Sequence, residues 1–115
     1  MADPPDPPLF SPSPELILKD PQAIPIIFHK ERGLILHQLM QREMTLRELA
    51  ETLKINPGTV KRHLNDLLLI GVIVPLPERK NDYGITLKYY RAKALRILFQ
   101  FEFPKDFSAE KPTPI

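Results

Sequence analysis

Apolar positions in the middle of the chain recur every third or fourth residue, and past Gly71 the rhythm shortens to two. From Glu31 to Gln41, Leu34, Ile35, Leu39 and Met40 sit at helical spacing among polar residues and predict an amphipathic helix. Thr45 to Ile73 then reads as two helices joined by a short turn. Thr45 is placed to cap the first, and Glu48 to complete a capping box. Leu46, Leu49, Ala50 and Leu53 supply its buried stripe. Asn56 followed by Pro57 is a second start signal, because Asn caps well and Pro at the first helical position loses only an amide that lacks a partner. Val60, Leu64, Leu67 and Leu68 give the second stripe, and Gly71 a stop. This pair predicts a helix-turn-helix.

Beyond Gly71, Val72, Ile73, Val74 and Leu76 favour a strand, which Pro75 and Pro77 confine to a sheet edge. Glu78 to Gly84 is polar and turn-rich and reads as a hairpin loop. Ile85, Leu87 and Tyr89 alternate with Thr86, Lys88 and Tyr90, the pattern of a half-buried second strand. The expected architecture is mainly α with a small β-hairpin, a winged helix-turn-helix. Arg91 to Phe103 reads as a final helix, with Ala92, Leu95, Leu98 and Phe99 on one face and Ile97, Phe101 and Phe103 widening its apolar surface. Before the core, Leu16 to Leu18 reads as a short or interrupted helix ahead of Asp20-Pro21. Ala23 to Phe28 is too apolar for a free linker and is expected to pack on the domain or on a second subunit. The domain is thus expected over residues 16–103. Residues 1–15 form a disordered proline-rich tail, with six of the 14 prolines before Glu15, and residues 104–115 a flexible one.

A length of 115 residues fits one domain with tails. The formal net charge of +2 is too weak to argue for nucleic acid by itself. Its distribution says more: between Lys54 and Arg96, nine Lys or Arg residues face only Asp66, Glu78 and Asp82. The chain has no cysteine, which excludes a disulfide framework, a thiolate metal site and a cysteine nucleophile. The acidic, proline-rich start does not resemble a signal peptide, and no apolar run is of membrane-spanning length, so a cytoplasmic, nucleoid-associated protein is expected.

The second helix of a helix-turn-helix enters the major groove by its N-terminal part. The candidates for DNA contact there are Asn56, Gly58, Thr59, Lys61, Arg62 and Asn65. Arg62 suits guanine O6 and N7, Asn65 adenine or phosphate, Thr59 a thymine methyl or phosphate, and Lys61 phosphate. The rival reading is that Lys61 and Arg62 only solvate a helix face. Gly58 either permits close backbone approach or is incidental. Arg79 and Lys80 in the loop are placed to reach the minor groove or its phosphates, or to solubilise the tip. Thr45 and Arg47 are candidates for the DNA backbone; Lys88, Arg91, Lys93 and Arg96 are weaker ones, since some must face away. His29, His37 and His63 show no metal-ligand spacing, and His63 reads as a semi-buried core residue bonded to a neighbouring helix. No nucleophile, acid–base couple or phosphate loop is visible, so neither catalysis nor a cofactor nor a metal is expected.

The segment TLRELAETLKINPGTVKRHLNDLLLIGVIVPL, then a loop, then YGITLKYYRAKA, resembles the ArsR-like winged-helix regulators of bacteria and archaea. The resemblance runs from about Ile24 to Leu98. It rests on Glu48-Leu49-Ala50, Asn56, Thr59-Val60, Arg62, His63-Leu64, Leu67, Gly71 and Tyr90-Arg91. It implies a homodimeric transcriptional repressor whose terminal segments form the dimer interface. Ile17, Ile24, Ile27, Leu95, Leu98, Phe99 and Phe101 are the residues expected there. Metal-sensing members carry Cys-x-Cys or terminal His and Asp clusters; with no cysteine and no histidine after His63, the resemblance argues for a non-metal-sensing type. A small-molecule effector stays open. The expected function is sequence-specific binding of double-stranded DNA at a pseudo-palindrome, with a protein-interaction module or a non-specific architectural DNA binder as the alternatives.

Overall fold

The computed structural model describes residues 10–102; residues 1–9 of the tail expected over 1–15, residue 103 of the expected domain and the whole tail expected over 104–115 lie outside them. In chain order the elements are β1 (Leu16–Leu18), α1 (Ala23–Ile27), α2 (Lys30–Gln41), β2 (Met44–Thr45), α3 (Leu46–Leu53) and α4 (Pro57–Leu69). β3 (Ile73–Pro75), β4 (Arg79–Lys80), β5 (Thr86–Leu87), β6 (Tyr89–Ala92) and β7 (Ile97–Phe99) follow.

Helices α2, α3 and α4 enclose the core with a three-stranded sheet of order β2-β6-β3. Ile35, Leu39, Met44, Leu49, Val60, Leu64, Leu67, Val72 and Ala92 are fully buried. Within α2 the inward stripe is Ile35, Leu36 and Leu39, whereas Leu34, expected on it, is exposed. The winged helix-turn-helix, mainly α with a small β wing, is therefore the observed fold. Pro75 ends β3 at the sheet edge, where its missing amide costs no ladder hydrogen bond.

The helix-turn-helix forms from local signals. The Thr45 hydroxyl accepts from Glu48 N at 3.1 Å, and Glu48 Oε1 accepts from Thr45 N at 3.0 Å, a closed capping box. Asn56 Oδ1 accepts from Gly58 N at 2.8 Å, with Pro57 at the first helical position. The turn reverses at Lys54, which holds a left-handed conformation (φ 56°, ψ 46°). A Cβ in that region costs about 1–2 kcal/mol, partly offset for glycine by its greater chain entropy. Lys54→Gly is therefore expected to raise stability by about 0.5–1 kcal/mol, read as a higher urea midpoint at unchanged slope.

Both ends of the described chain depart from expectation. Leu16–Leu18 is a strand rather than a short helix, and Arg91–Phe103 contains no helix among its described residues. Instead β1 and β7 form a parallel ribbon, Leu16 pairing with Ile97, Ile17 with Leu98 and Leu18 with Phe99. Pairing begins already at Ser13, inside the segment expected as a tail. Ser13 N donates to Lys93 O at 3.0 Å and Leu95 N to Ser13 O at 2.9 Å. The amides of the expected helix thus find partners across the fold, with Lys93 N donating to Val72 O at 2.9 Å. Leu16, Leu18, Ile97 and Phe99 pack on the core, which turns Ile17 and Leu98 to the other face of the ribbon.

Candidate nucleic-acid interface

Helix α4 is fixed by its inner face. Val60, His63, Leu64 and Leu67 are buried there. His63 is 6% exposed, its Nε2 lies 3.2 Å from Glu31 Oε1 on α2, and its ring centroid is 4.9 Å from that of His29. Asp66 accepts from Arg32 Nη1 at 3.1 Å, while Arg32 Nε donates to Ile26 O at 2.7 Å, which ties α4, α2 and α1 together. His63 is thus the core histidine its position suggested. Among the described residues no group of three or more His, Asp or Glu is placed to hold a metal ion.

With that face committed, Gly58, Lys61, Arg62 and Asn65 form one exposed stripe along α4, with Thr59 half-buried beside it. A Cβ at Gly58 would lie 3.1 Å from Asn56 Oδ1, so glycine here admits the cap of its own helix. The arginines decide the character of this stripe. Arg32 is bound to Asp66, Arg42 lies 3.7 Å from Glu48, Arg47 3.2 Å from Glu51, Arg79 2.8 Å from Glu43 and Arg96 3.6 Å from Glu15. Arg91 turns inward and donates to Met40 O at 3.3 Å. Among the described residues Arg62 alone keeps its guanidinium without an ion pair or a hydrogen bond, and Lys61 beside it has no ion pair either.

The wing differs from its expected form. Arg79 and Lys80 lie on β4, paired with Leu87 and Thr86, rather than in the loop. Arg79 is doubly engaged, by Glu43 and by Tyr89, whose ring centroid lies 3.6 Å from the guanidinium carbon. Between the Pro75–Tyr90 and Arg79–Leu87 pairs, Leu76, Pro77 and Glu78 face only Lys88 and Tyr89. This one-residue bulge re-aims the outer half of the hairpin. On the face opposite Arg79 stand Lys80, Thr86 and Lys88, so Lys88 joins the wing cations that sequence spacing had left unplaced. Thr45 spends its hydroxyl's acceptor on the cap, while the Arg47–Glu51 pair is exposed enough to open at little cost.

The residues expected at a dimer interface divide. Ile17 and Leu95 are about half exposed and Ile24 is 37% exposed. Leu98, Phe99 and Phe101 are half-buried. Ile27 is only 8% exposed and belongs to the chain's own core, so it is no longer a candidate. Phe28, part of the segment expected to pack on the domain or on a second subunit but not singled out for the interface, is 70% exposed, and its ring centroid lies 5.4 Å from that of Phe99, which in turn lies 5.8 Å from Phe101. Its place directly after Ile26-Ile27 was the available signal.

A trihelical core, a capped α4 with an outward cationic stripe and a hairpin wing define a winged helix-turn-helix. Residues 29–73, from the cap of α2 to the start of β3, match the family model described as bacterial regulatory protein, arsR family. The chain has the ArsR-type winged helix-turn-helix fold. Similar solved structures include the transcriptional regulator HlyU from Vibrio vulnificus CMCP6 (24% identity, TM-score 0.50, 62% of this chain and 68% of that one). The transcriptional repressor BigR from Xylella fastidiosa is another (22%, TM-score 0.50, 62% and 64%). A third is the homodimeric winged helix-turn-helix DNA-binding domain Mb0332 from Mycobacterium bovis, described as a possible ArsR-family transcriptional regulator (22%, TM-score 0.50, 64% and 62%). At these identities the likeness is one of fold, and the chain spans between 62% and 68% of the length of these three. No curated protein matches it. No helix among the described residues is long and apolar enough to cross a membrane.

Proposed function

We propose that the chain is a sequence-specific, double-stranded DNA-binding regulator that acts as a homodimeric repressor on a pseudo-palindromic operator, at the nucleoid in the cytoplasm. The observation that carries this reading is the free guanidinium of Arg62 on the exposed stripe of α4. Every other arginine is engaged within the fold, so an unpaired one beside Lys61 and Asn65 is poised for an external acceptor. Arginine's fork fits guanine O6 and N7, and Lys61 suits phosphate. Thr45 and Arg47 at the start of α3, with Lys80 and Lys88 on the wing, extend the contact to the duplex backbone. Exposed Ile17 and Leu95 and the Phe28–Phe99–Phe101 row supply an apolar surface for the second copy, in place of the terminal helices expected from sequence. BigR's description as a repressor and that of Mb0332 as a homodimeric DNA-binding domain support the finer reading.

Selection of bound duplexes from a random library, at two salt concentrations, tests it. The expected result is an enriched inverted repeat with half-site centres about 10–10.5 bp apart or a multiple of that. Binding without a consensus would remove sequence specificity from the reading, and absence of binding at both salts would overturn it.

A further inference from the structure

We infer that the wing adds to the phosphate contacts of Lys80 and Lys88 an apolar wedge at its tip, Tyr83 with Ile85, seated in the minor groove beside each half-site. This inference rests on the DNA-binding reading above and adds a contact residue to it. Its first support is the electrostatics of the hairpin. Glu78 and Asp82 offset Lys80 and Lys88, and Arg79 is matched by Glu43 at 2.8 Å. A wing so balanced has little net charge, so the two lysines by themselves are a weak account of its grip.

The second support is what stands at the tip. Tyr83 is 88% exposed and Ile85 57%, the two largest apolar side chains of the turn, both directed to solvent. They are held there by design of the backbone. Asn81 Oδ1 accepts from Tyr83 N and from Ile85 N, each at 2.9 Å, Asn81 N donates to Ile85 O at 2.9 Å, and Gly84 N donates to Asn81 O at 3.0 Å. Gly84 closes the turn at φ 77°, where a Cβ would be strained. A turn knotted so fully about one asparagine has little freedom left to lose on binding, and tyrosine adds only two rotors. Apolar side chains entering the minor groove partly unstack a base step, and the Tyr83 hydroxyl offers a donor to the acceptors that A·T pairs present there. Pro77 and the bulge at Leu76–Glu78 aim the outer hairpin separately from the core sheet, as a reaching element requires.

The full chain and its variants would be titrated onto a fluorescein-labelled duplex carrying the enriched repeat, over a series of salt concentrations. Tyr83→Ala is expected to weaken binding about tenfold with an unchanged salt slope. Tyr83→Phe should retain most of the affinity, and Lys61→Ala should lower the slope by about 0.9. Replacing inosine by guanine at the wing-facing steps adds the minor-groove N2 amino group alone, and should weaken the wild type but not Tyr83→Ala. If Tyr83→Ala binds like the wild type while Arg62→Ala does not, the wedge is wrong and the DNA reading stands. If neither variant changes binding, the DNA-contact reading fails with it. A loss accompanied by a flatter salt slope, or a change in sedimentation with DNA affinity intact, would also overturn the wedge, the latter making the tip a contact between copies.

Discussion

Arg62→Ala is expected to cost about 1–3 kcal/mol of binding to the selected duplex, and to flatten base preference at one position of each half-site. The size follows from geometry. A guanidinium already detached from every carboxylate in the described fold has no internal partner to give up when it meets a base edge. Arg79, by contrast, would have to leave Glu43 at 2.8 Å and the Tyr89 ring first. Substituting the duplex one base pair at a time should show the wild type losing affinity at that position and Arg62→Ala indifferent to it. Uniform weakening across all duplexes would instead make Arg62 a phosphate contact.

Leu64→Ala is expected to destabilise the domain by about 2–5 kcal/mol. Leu64 is fully buried on the inner face of α4 and belongs to the core shared with α2 and α3. A small domain holds only about 5–15 kcal/mol in total, so this change alone brings the population of unfolded chain into range of an ordinary urea or thermal titration. DNA affinity at low temperature should fall only with the folded fraction, because Leu64 lies on the opposite face of α4 from Lys61, Arg62 and Asn65. A ΔΔG below about 0.5 kcal/mol would mean that α4 is not seated in the core as described.

These two variants act on opposite faces of a single helix, and that helix was the most legible part of the chain. Caps, spacing and the Asn56-Pro57 start are local features, and local features fix α3, α4 and the turn between them whatever the rest of the molecule does. The capping box at Thr45 and Glu48 closes as the spacing anticipates, and His63 turns inward as its apolar neighbours indicate. The stripe of candidate contact residues on α4 follows from the same helical period, so it too was readable.

The ends of the chain were not. Leu16-Ile17-Leu18 and Ile97-Leu98-Phe99 are each too short to specify a structure, and each becomes a strand because the other lies alongside it. Their partners are separated by nearly the whole domain, a distance over which propensity carries no information. Ile97, Phe99 and Phe101 do recur with a period of two, but Ala92, Leu95, Leu98 and Phe99 satisfy a helical period equally well, and only pairing decides between them. Charge follows the same division. The sequence by itself placed a cationic excess after Lys54, and it determined which residues face outward on α4. Only the tertiary structure decided which of those cations are free, because Glu43, Asp66 and Met40 reach Arg79, Arg32 and Arg91 from other elements and leave Arg62 exposed, since ion pairing depends on positions that the fold alone brings together.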